Sequence, residues 1–132
     1  MTAPNIINIT TINGSITYYT PSGTSAVVLL ANAASSGHLY KINYLTVANI
    51  DGTNAVNATV SIYNNATVTS QGSAPSGGTA YAIASTVSVP ANASLVVCNK
   101  TESFYLPEDK SIVITSSVAS KLTFTVSYED IS

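Results

Sequence analysis

Residues 121–128 read Lys-Leu-Thr-Phe-Thr-Val-Ser-Tyr, and this stretch carries the clearest fold signal in the chain. Its apolar members, Leu122, Phe124, Val126 and Tyr128, alternate with lysine, threonine and serine. Successive side chains of a β-strand point to opposite faces of a sheet, so this alternation predicts a strand with one buried and one solvated face. A second strand is predicted over 111–115, and we expect the two to form a closing hairpin.

The rest of the chain predicts further short strands, separated by turn residues at intervals of about ten residues. Asn13-Gly14 and Asp51-Gly52 are typical two-residue hairpin turns. Residues 26–33 are the most apolar segment and are expected to lie centrally in a sheet. Residues 38–49 have apolar side chains on both parities, which predicts either burial on both faces or a bulge that shifts the register.

No segment has a convincing helical period of apolar residues, and 132 residues suit one domain. We therefore expect an all-β protein: a single antiparallel β-sandwich over residues 1–132, Ig-like or jelly-roll-like, with about eight to ten short strands. Residues 1–12 are expected to form an extended N-terminal arm or an edge strand.

Charged residues make up only 8% of the chain, against about 25% in ordinary soluble domains. The net charge is −2 and there is no arginine, which disfavours a nucleic-acid partner because phosphates are bound by clustered basic side chains. No apolar run approaches the roughly 20 residues that span a bilayer. The first residues lack the pattern of a signal peptide, so synthesis in a cytoplasm is expected. A neutral surface rich in hydroxyls and amides favours close packing against other protein surfaces.

Residues with reactive side chains are few. His38 is the only histidine and is predicted to lie at a turn or strand start, and Cys98, the only cysteine, is predicted to be a buried, inert thiol. Glu108-Asp109 is predicted to be a turn and Glu129-Asp130 a solvated strand end. Asp51-Gly52 with the next two residues favours a turn over a calcium loop, which needs more oxygen ligands. These residues give no positive evidence for an enzyme, a metal site or a cofactor.

Several stretches together carry a family resemblance, and their order is more specific than any one of them. They are Val47-Ala-Asn-Ile-Asp-Gly-Thr-Asn-Ala-Val56 with the nearby Val60-Ser-Ile-Tyr63, Val87-Ser-Val-Pro-Ala-Asn-Ala-Ser-Leu-Val-Val97, Phe104-Tyr-Leu-Pro-Glu-Asp-Lys-Ser-Ile112, and Val126-Ser-Tyr-Glu-Asp-Ile-Ser132. Across residues 39–132 the chain resembles small virion structural proteins of tailed bacteriophages, particularly those of marine and cyanobacterial hosts. The resemblance implies a β-sandwich without enzymatic activity that is built into the particle, and it carries over no catalytic residues.

The resulting expectation is a capsid decoration (cement) protein on the outer surface of the virion. It would pack on the major capsid protein, stabilise the shell and contact copies of itself, for example as a trimer, without nucleic acid, membrane or cofactor. Strand edges and extended termini can add to a partner's sheet, so the candidate partner contacts are Ile6, Ile7, Ile9 and Ile12. Two alternatives stay open: a tail or neck component, and a host-surface glycan-binding module that uses the loop 64–78 and nearby tyrosines.

Overall fold

The computed structural model describes residues 7–132, and the regular secondary structure of this part of the chain is almost entirely β-strand. The nine strands are β1 (Ile12–Tyr19), β2 (Val27–Asn32), β3 (Leu39–Asn49), β4 (Val56–Tyr63), β5 (Ala80–Val89), β6 (Ser94–Cys98), β7 (Phe104–Leu106), β8 (Lys110–Ser116) and β9 (Leu122–Ile131). A single 3₁₀ turn, Lys100–Glu102, separates β6 from β7. The predicted all-β sandwich with eight to ten strands is confirmed.

The strands form two antiparallel sheets with the topology of a jelly roll. The first sheet has the order β1-β9-β3-β6, with β7 also paired to β3, and the second has the order β2-β8-β4-β5. Both β6 and β7 run antiparallel to β3, so together they occupy one strand position. The chain crosses between the sheets at every connection except β4–β5 and β6–β7. This alternation is the double Greek key of a jelly roll.

Two predicted hairpins are wrong for the same reason. The Asp51-Gly52 turn joins β3 to β4, and residues 117–121 join β8 to β9, but in each case the two strands lie in different sheets. Period-two alternation identifies which face of a strand is buried, but it does not identify the neighbour to which the strand is hydrogen-bonded. In this fold each of these turns carries the chain over the edge of the core into the opposite sheet.

The predicted turn at Asn13-Gly14 is also wrong. Both residues lie inside β1, opposite Asp130 and Glu129 of β9, and neither has a positive φ. A type I′ turn requires positive φ at both central positions, so pairing with the C-terminal strand has overridden the local turn preference. Within residues 7–132, the edge strand β1 therefore begins at Ile12, and residues 1–6 of the expected arm lie outside the described residues.

The position of β2 corrects another expectation. The apolar segment 26–33 contains β2, which lies at the edge of the second sheet and not at its centre. Of the two alternatives predicted for residues 38–49, burial on both faces or a bulge, the structure has the bulge: the register of β3 against β9 shifts between Ile42 and Tyr44.

The main core lies between the two sheets and is contributed by nearly every strand. Phe124 is the largest of its fully buried side chains, and the alternation of β9 is confirmed by the burial of Leu122, Phe124 and Val126. The buried members of this core are Leu29, Ile42, Leu45, Val47, Val56, Ala58, Val60, Val89, Cys98, Leu106, Ile112, Ile114, Leu122, Phe124 and Val126.

A smaller apolar cluster lies on the outer side of the second sheet. Val28, Tyr63 and Val113 are buried there, with Val68 of the loop 64–78 packed against them. The longest loop of the chain therefore covers part of the outer face of the second sheet. The outer face of the first sheet has no comparable cover among residues 7–132, and this difference between the sheets locates the candidate site.

Candidate functional site

The broad outward-facing surface of the first sheet carries six large apolar or aromatic side chains that remain 43–66% exposed. The strand registers place them on the side of the sheet opposite Phe124 and Val126. We call this surface the outer face, and its six large residues are Ile12, Ile16 and Tyr18 of β1, Tyr44 of β3, Val96 of β6 and Tyr105 of β7.

Between these side chains the outer face is lined mainly by hydroxyls. Thr125 and Ser127 of β9 lie opposite Tyr18 and Ile16, and Thr46 lies opposite Val96. Although hydroxyls separate them, the six large side chains give one face of the sheet an exposed apolar and aromatic patch. Such a patch is typical of a protein–protein contact surface.

Formal charge on the outer face is nearly balanced. Lys41 of β3 lies directly opposite Glu129 of β9, so one positive and one negative side chain sit side by side. A surface of this kind neither attracts phosphate strongly nor repels another neutral protein surface. Its chemistry favours a partner with a similarly neutral face.

The four predicted contact residues at the N-terminus have different positions. Ile6 lies outside the described residues. Ile7 is 89% exposed, Ile9 is partly buried, and Ile12 begins β1 opposite the buried Ile131. Of the three described residues, Ile12 lies in a strand and belongs to the outer face. The assignment of all four as partner contacts stays a prediction.

The loop 64–78, which the alternative hypothesis uses for ligand binding, is fastened to the second sheet by its own backbone. The N–H of Val28 donates to the carbonyl of Ser73 (2.9 Å) and the N–H of Gly72 donates to the carbonyl of Val28 (2.8 Å). Farther along the loop, the Tyr63 hydroxyl donates to the carbonyl of Gly78 (2.9 Å). The loop is therefore an ordered cover whose largest apolar side chain points towards the sheet.

His38 precedes β3, as predicted, and its ring has a partner that the sequence did not reveal. His38 Nδ1 lies 2.6 Å from Asp130 Oδ1, across the end of the first sheet. Glu129 and Asp130 are part of β9 and partly buried, so the prediction of a solvated strand end is wrong for this pair.

Two hydroxyl-bearing side chains near this His–Asp pair make other contacts. The Ser36 hydroxyl donates to Asn32 Oδ1 and accepts from the main-chain N–H of His38, so it is engaged away from the imidazole ring. Tyr40 stacks obliquely on Tyr128 with ring centroids 5.0 Å apart. Burial, followed by the nearby Asp130 carboxylate, raises the pKa of the Tyr40 hydroxyl.

Cys98 is buried at the end of β6, as predicted. Its Sγ lies 3.4 Å from the carbonyl of Glu102 in the 3₁₀ turn. Burial raises the pKa of the thiol, with a further contribution from the Glu102 carboxylate. The thiolate needed for nucleophilic chemistry or metal binding is therefore disfavoured.

Glu108 and Asp109 form a turn, as predicted, and each holds a different loop. Glu108 Oε1 accepts from the N–H of Gly37 (3.2 Å), and Asp109 Oδ1 accepts from the N–H of Ala66 (3.0 Å). Asp109 adopts a positive φ of 58°, which places its main-chain N–H on the carbonyl of Asn32. The two carboxylates thus stabilise loop positions at one end of the sandwich.

Asp51 closes the β3–β4 connection as a local turn. Its Oδ1 accepts from the N–H groups of Thr53 (2.8 Å) and Asn54 (3.1 Å), and these bonds, that of Thr53 first, lower the pKa of the carboxyl. The expected turn is present, although it is not a hairpin. Oδ2 of the same side chain lies 3.9 Å from Lys121 Nζ.

This lowered pKa predicts a pH dependence of stability. The folded state binds the Asp51 proton less tightly than the unfolded state, so its stabilising effect is complete above the ordinary carboxyl pKa and is lost as the pH falls below about 4. Asp51→Asn keeps an oxygen acceptor but cannot titrate. We expect its free energy of unfolding to fall less steeply than that of the wild type between about pH 4 and pH 2. Denaturant titrations at each pH measure both slopes, and equal slopes would contradict the assignment.

Other kinds of site are not found in the part of the chain that the structure describes. Residues 7–132 contain no group of three or more His, Cys, Asp or Glu side chains placed to hold a metal ion, and no pocket opens on their surface. None of their helical segments is long and apolar enough to cross a membrane. Compared with known proteins, the chain matches no protein-family model and no curated protein. The outer face is thus the candidate site that its geometry supports best.

Proposed function

We propose that this chain is a non-enzymatic structural subunit of a phage virion, and specifically a capsid decoration (cement) protein that packs on the major capsid protein. The observation that carries the proposal is the outer face, where six large apolar and aromatic side chains are exposed among hydroxyls on one side of the first sheet. The resemblance of residues 39–132 to virion structural proteins supplies the nature of the partner.

A low-charge sheet face suits this role physically. A cement protein stabilises a shell through many shallow contacts, each weak alone, and so needs area and shape more than reactive groups. Only 8% of the residues are charged, so little free energy is lost in desolvating charged side chains when such a face is covered. Jelly rolls occur in viral capsid domains and also in lectins, so the fold alone does not select the function.

The copy number of the protein in purified virions tests this proposal against a role in the tail or neck. A decoration protein covers a shell and should be present in on the order of hundreds of copies, whereas a ring at the neck or tail would give about three to twelve. Quantitative mass spectrometry of virions, calibrated against the major capsid protein, measures the ratio. A count in the lower range would assign the chain to the tail or neck, and complete absence from virions would overturn the structural role.

The glycan-binding alternative has its own test. Binding of purified protein to host cells, competed by soluble host polysaccharide, would favour a receptor-binding module. Because the loop 64–78 is fixed to the second sheet through Val28, such binding should use the exposed polar side of the loop. Substitutions in that side, and not on the outer face of the first sheet, would then abolish it.

A further inference from the structure

The free edge of β1 differs from the other strand edges of the sandwich. Beside β2, the edge is occupied by Gly72 and Ser73, which bond to Val28. The register of β5 is interrupted by two irregularities, and the edge formed by β6 and β7 is broken by the 3₁₀ turn. β1 instead pairs with β9 through eight consecutive residues without a bulge.

The sequence of β1 contains none of the features that usually protect an edge. Its eight residues, Ile-Asn-Gly-Ser-Ile-Thr-Tyr-Tyr, include no charged side chain and no proline. Charged side chains, prolines, bulges and covering loops are the means by which natural edge strands avoid pairing with another chain. The loop 64–78 reaches β1 through side-chain contacts: Gln71 Nε2 donates to Thr17 Oγ1 (2.8 Å), and the Tyr19 ring lies against Gly72. These contacts leave the outward-directed backbone of this long, regular, uncharged edge available for strand addition.

The hydrogen-bonding pattern shows which residues of β1 face the open edge. The N–H of Thr11 donates to the carbonyl of Ser132 (2.9 Å), and the N–H of Ser132 donates back to the carbonyl of Thr11 (3.0 Å). In an antiparallel ladder such doubly bonded pairs alternate with unbonded ones. The odd-numbered residues of β1 therefore bond to β9, and the even-numbered residues direct their N–H and C=O groups outward.

The outward-directed residues are Ile12, Gly14, Ile16 and Tyr18, and three of them also supply large side chains to the outer face. No main-chain hydrogen bond outside the β1–β9 ladder engages any residue of 12–19 in the described structure. One set of residues thus offers free backbone donors and acceptors together with exposed apolar side chains. This combination fits an extended strand of similar chemistry.

We propose that β1 pairs antiparallel with β1 of a second copy of the chain, around a two-fold axis at Ser15. In this register Ile12 lies opposite Tyr18 of the second copy, and Gly14 lies opposite Ile16. It is the register that pairs all four outward-directed residues with one another, through eight backbone hydrogen bonds. It also places an aromatic side chain beside a β-branched one at both ends, a favourable cross-strand pair.

A second copy fits this edge because the edge is complementary to itself. A two-fold interface uses the same patch on both subunits, and β1 has no charge that would repel its symmetry mate. The pairing would join the two first sheets into one continuous sheet and double the area of the outer face. The inference goes beyond the proposed function and does not depend on it, since it concerns the isolated protein in solution.

A cysteine scan tests the register. In the proposed dimer the two Ser15 residues form an unbonded pair with Cα atoms about 4.5 Å apart, within the range that a disulfide spans. Asn13 would lie opposite Thr17 and about 13 Å along the strand from its own symmetry mate. We therefore expect Ser15→Cys to crosslink into a dimer under mild oxidation and Asn13→Cys to remain a monomer on denaturing gels. Equal crosslinking of both variants would overturn the register.

Edge charge and amide exchange test the dimer itself. Ile16→Lys should weaken dimerisation at least tenfold in analytical ultracentrifugation, whereas Val96→Lys, on the outer face but away from β1, should leave it unchanged. In the wild-type protein the amides of Ile12, Gly14, Ile16 and Tyr18 should gain protection from hydrogen exchange as concentration rises, while those of Ser15 and Thr17 stay protected throughout. This wild-type measurement remains decisive if a variant folds poorly. A monomer at all concentrations, a trimer, or a dimer with those four amides unprotected would each overturn the proposal.

Discussion

Asn49→Ala is expected to lower the free energy of unfolding by about 3 kcal/mol, although no apolar packing is removed. Asn49 is 3% exposed, and its Nδ2 donates to the carbonyls of Asn54 (2.9 Å), Val89 (2.9 Å) and Pro90 (3.2 Å). Its Oδ1 accepts from the N–H of Asp51 (2.8 Å). One side chain therefore joins the β3–β4 connection to the β5–β6 turn. Alanine would remove this donor from the buried bond to the Val89 carbonyl and from the partly buried bond to the Asn54 carbonyl. Leaving such acceptors unpaired costs more than the bonds themselves contribute.

Two further variants make this prediction specific. Asn57→Ala is the matched control, because Asn57 is partly exposed and its known bonds are made by its main chain; its effect should be below about 1 kcal/mol. Asn49→Asp would direct a carboxylate at the same carbonyls. The folded state would therefore hold a proton on the new carboxyl group more tightly than the unfolded state does, and the variant should regain stability as the pH falls. Denaturant unfolding at neutral and acidic pH measures the free energy of unfolding of all three variants. Equal losses for Asn49→Ala and Asn57→Ala would contradict the assigned role.

A second buried asparagine has the same role at the opposite end of the sandwich. Asn32 Nδ2 donates to the carbonyls of His38 (2.9 Å) and Leu106 (3.0 Å). Nothing in the sequence distinguishes Asn32 and Asn49 from the many exposed asparagines of the chain. Their role depends on which loops meet at each end of the jelly roll, and that is decided only when distant segments pack together.

The sequence predicted well those features that depend on neighbouring residues. The alternation in residues 121–128 predicted the burial of Phe124 and Val126. The apolar residues on both parities of 38–49 predicted either burial on both faces or a bulge, and the structure has the bulge near Asn43. The expected burial of Cys98 followed from its apolar neighbours. Each of these inferences concerns the two faces of one strand, which a period of two determines directly.

Strand pairing was predicted poorly because it depends on contacts far apart in sequence. β1 pairs with β9, more than a hundred residues away, and that ladder keeps Asn13-Gly14 extended where local preference favours a turn. The same limit applies to the outer face. Ile12, Ile16 and Tyr18 alternate with polar residues as a buried face would, and only the tertiary arrangement shows that this face is exposed.

Placing lysine at both Tyr44 and Val96 is expected to reduce binding to capsids that lack the protein by about a hundredfold. The two residues lie on the adjacent strands β3 and β6 in the outer face, 43% and 48% exposed. If the face packs on the major capsid protein, each substitution removes apolar contact area worth roughly 1–2 kcal/mol and leaves an unpaired charge in the interface. A hundredfold loss corresponds to about 2.7 kcal/mol, which lies within the roughly 2–4 kcal/mol expected for the two substitutions together.

The matched control introduces the same charges on the second sheet. Tyr81 and Ile83 of β5 are exposed to a similar degree, 61% and 47%, but lie outside the outer face. Co-sedimentation of labelled protein with capsids measures both double variants, after thermal unfolding has shown that each is folded. If only the Tyr81 and Ile83 variant loses binding, the second sheet carries the docking surface. If both variants bind as well as the wild type, neither surface contacts the capsid.

The Val96 substitution also separates the two interfaces proposed for this chain. It should weaken capsid binding while the β1 dimer, formed at the opposite side of the first sheet, persists.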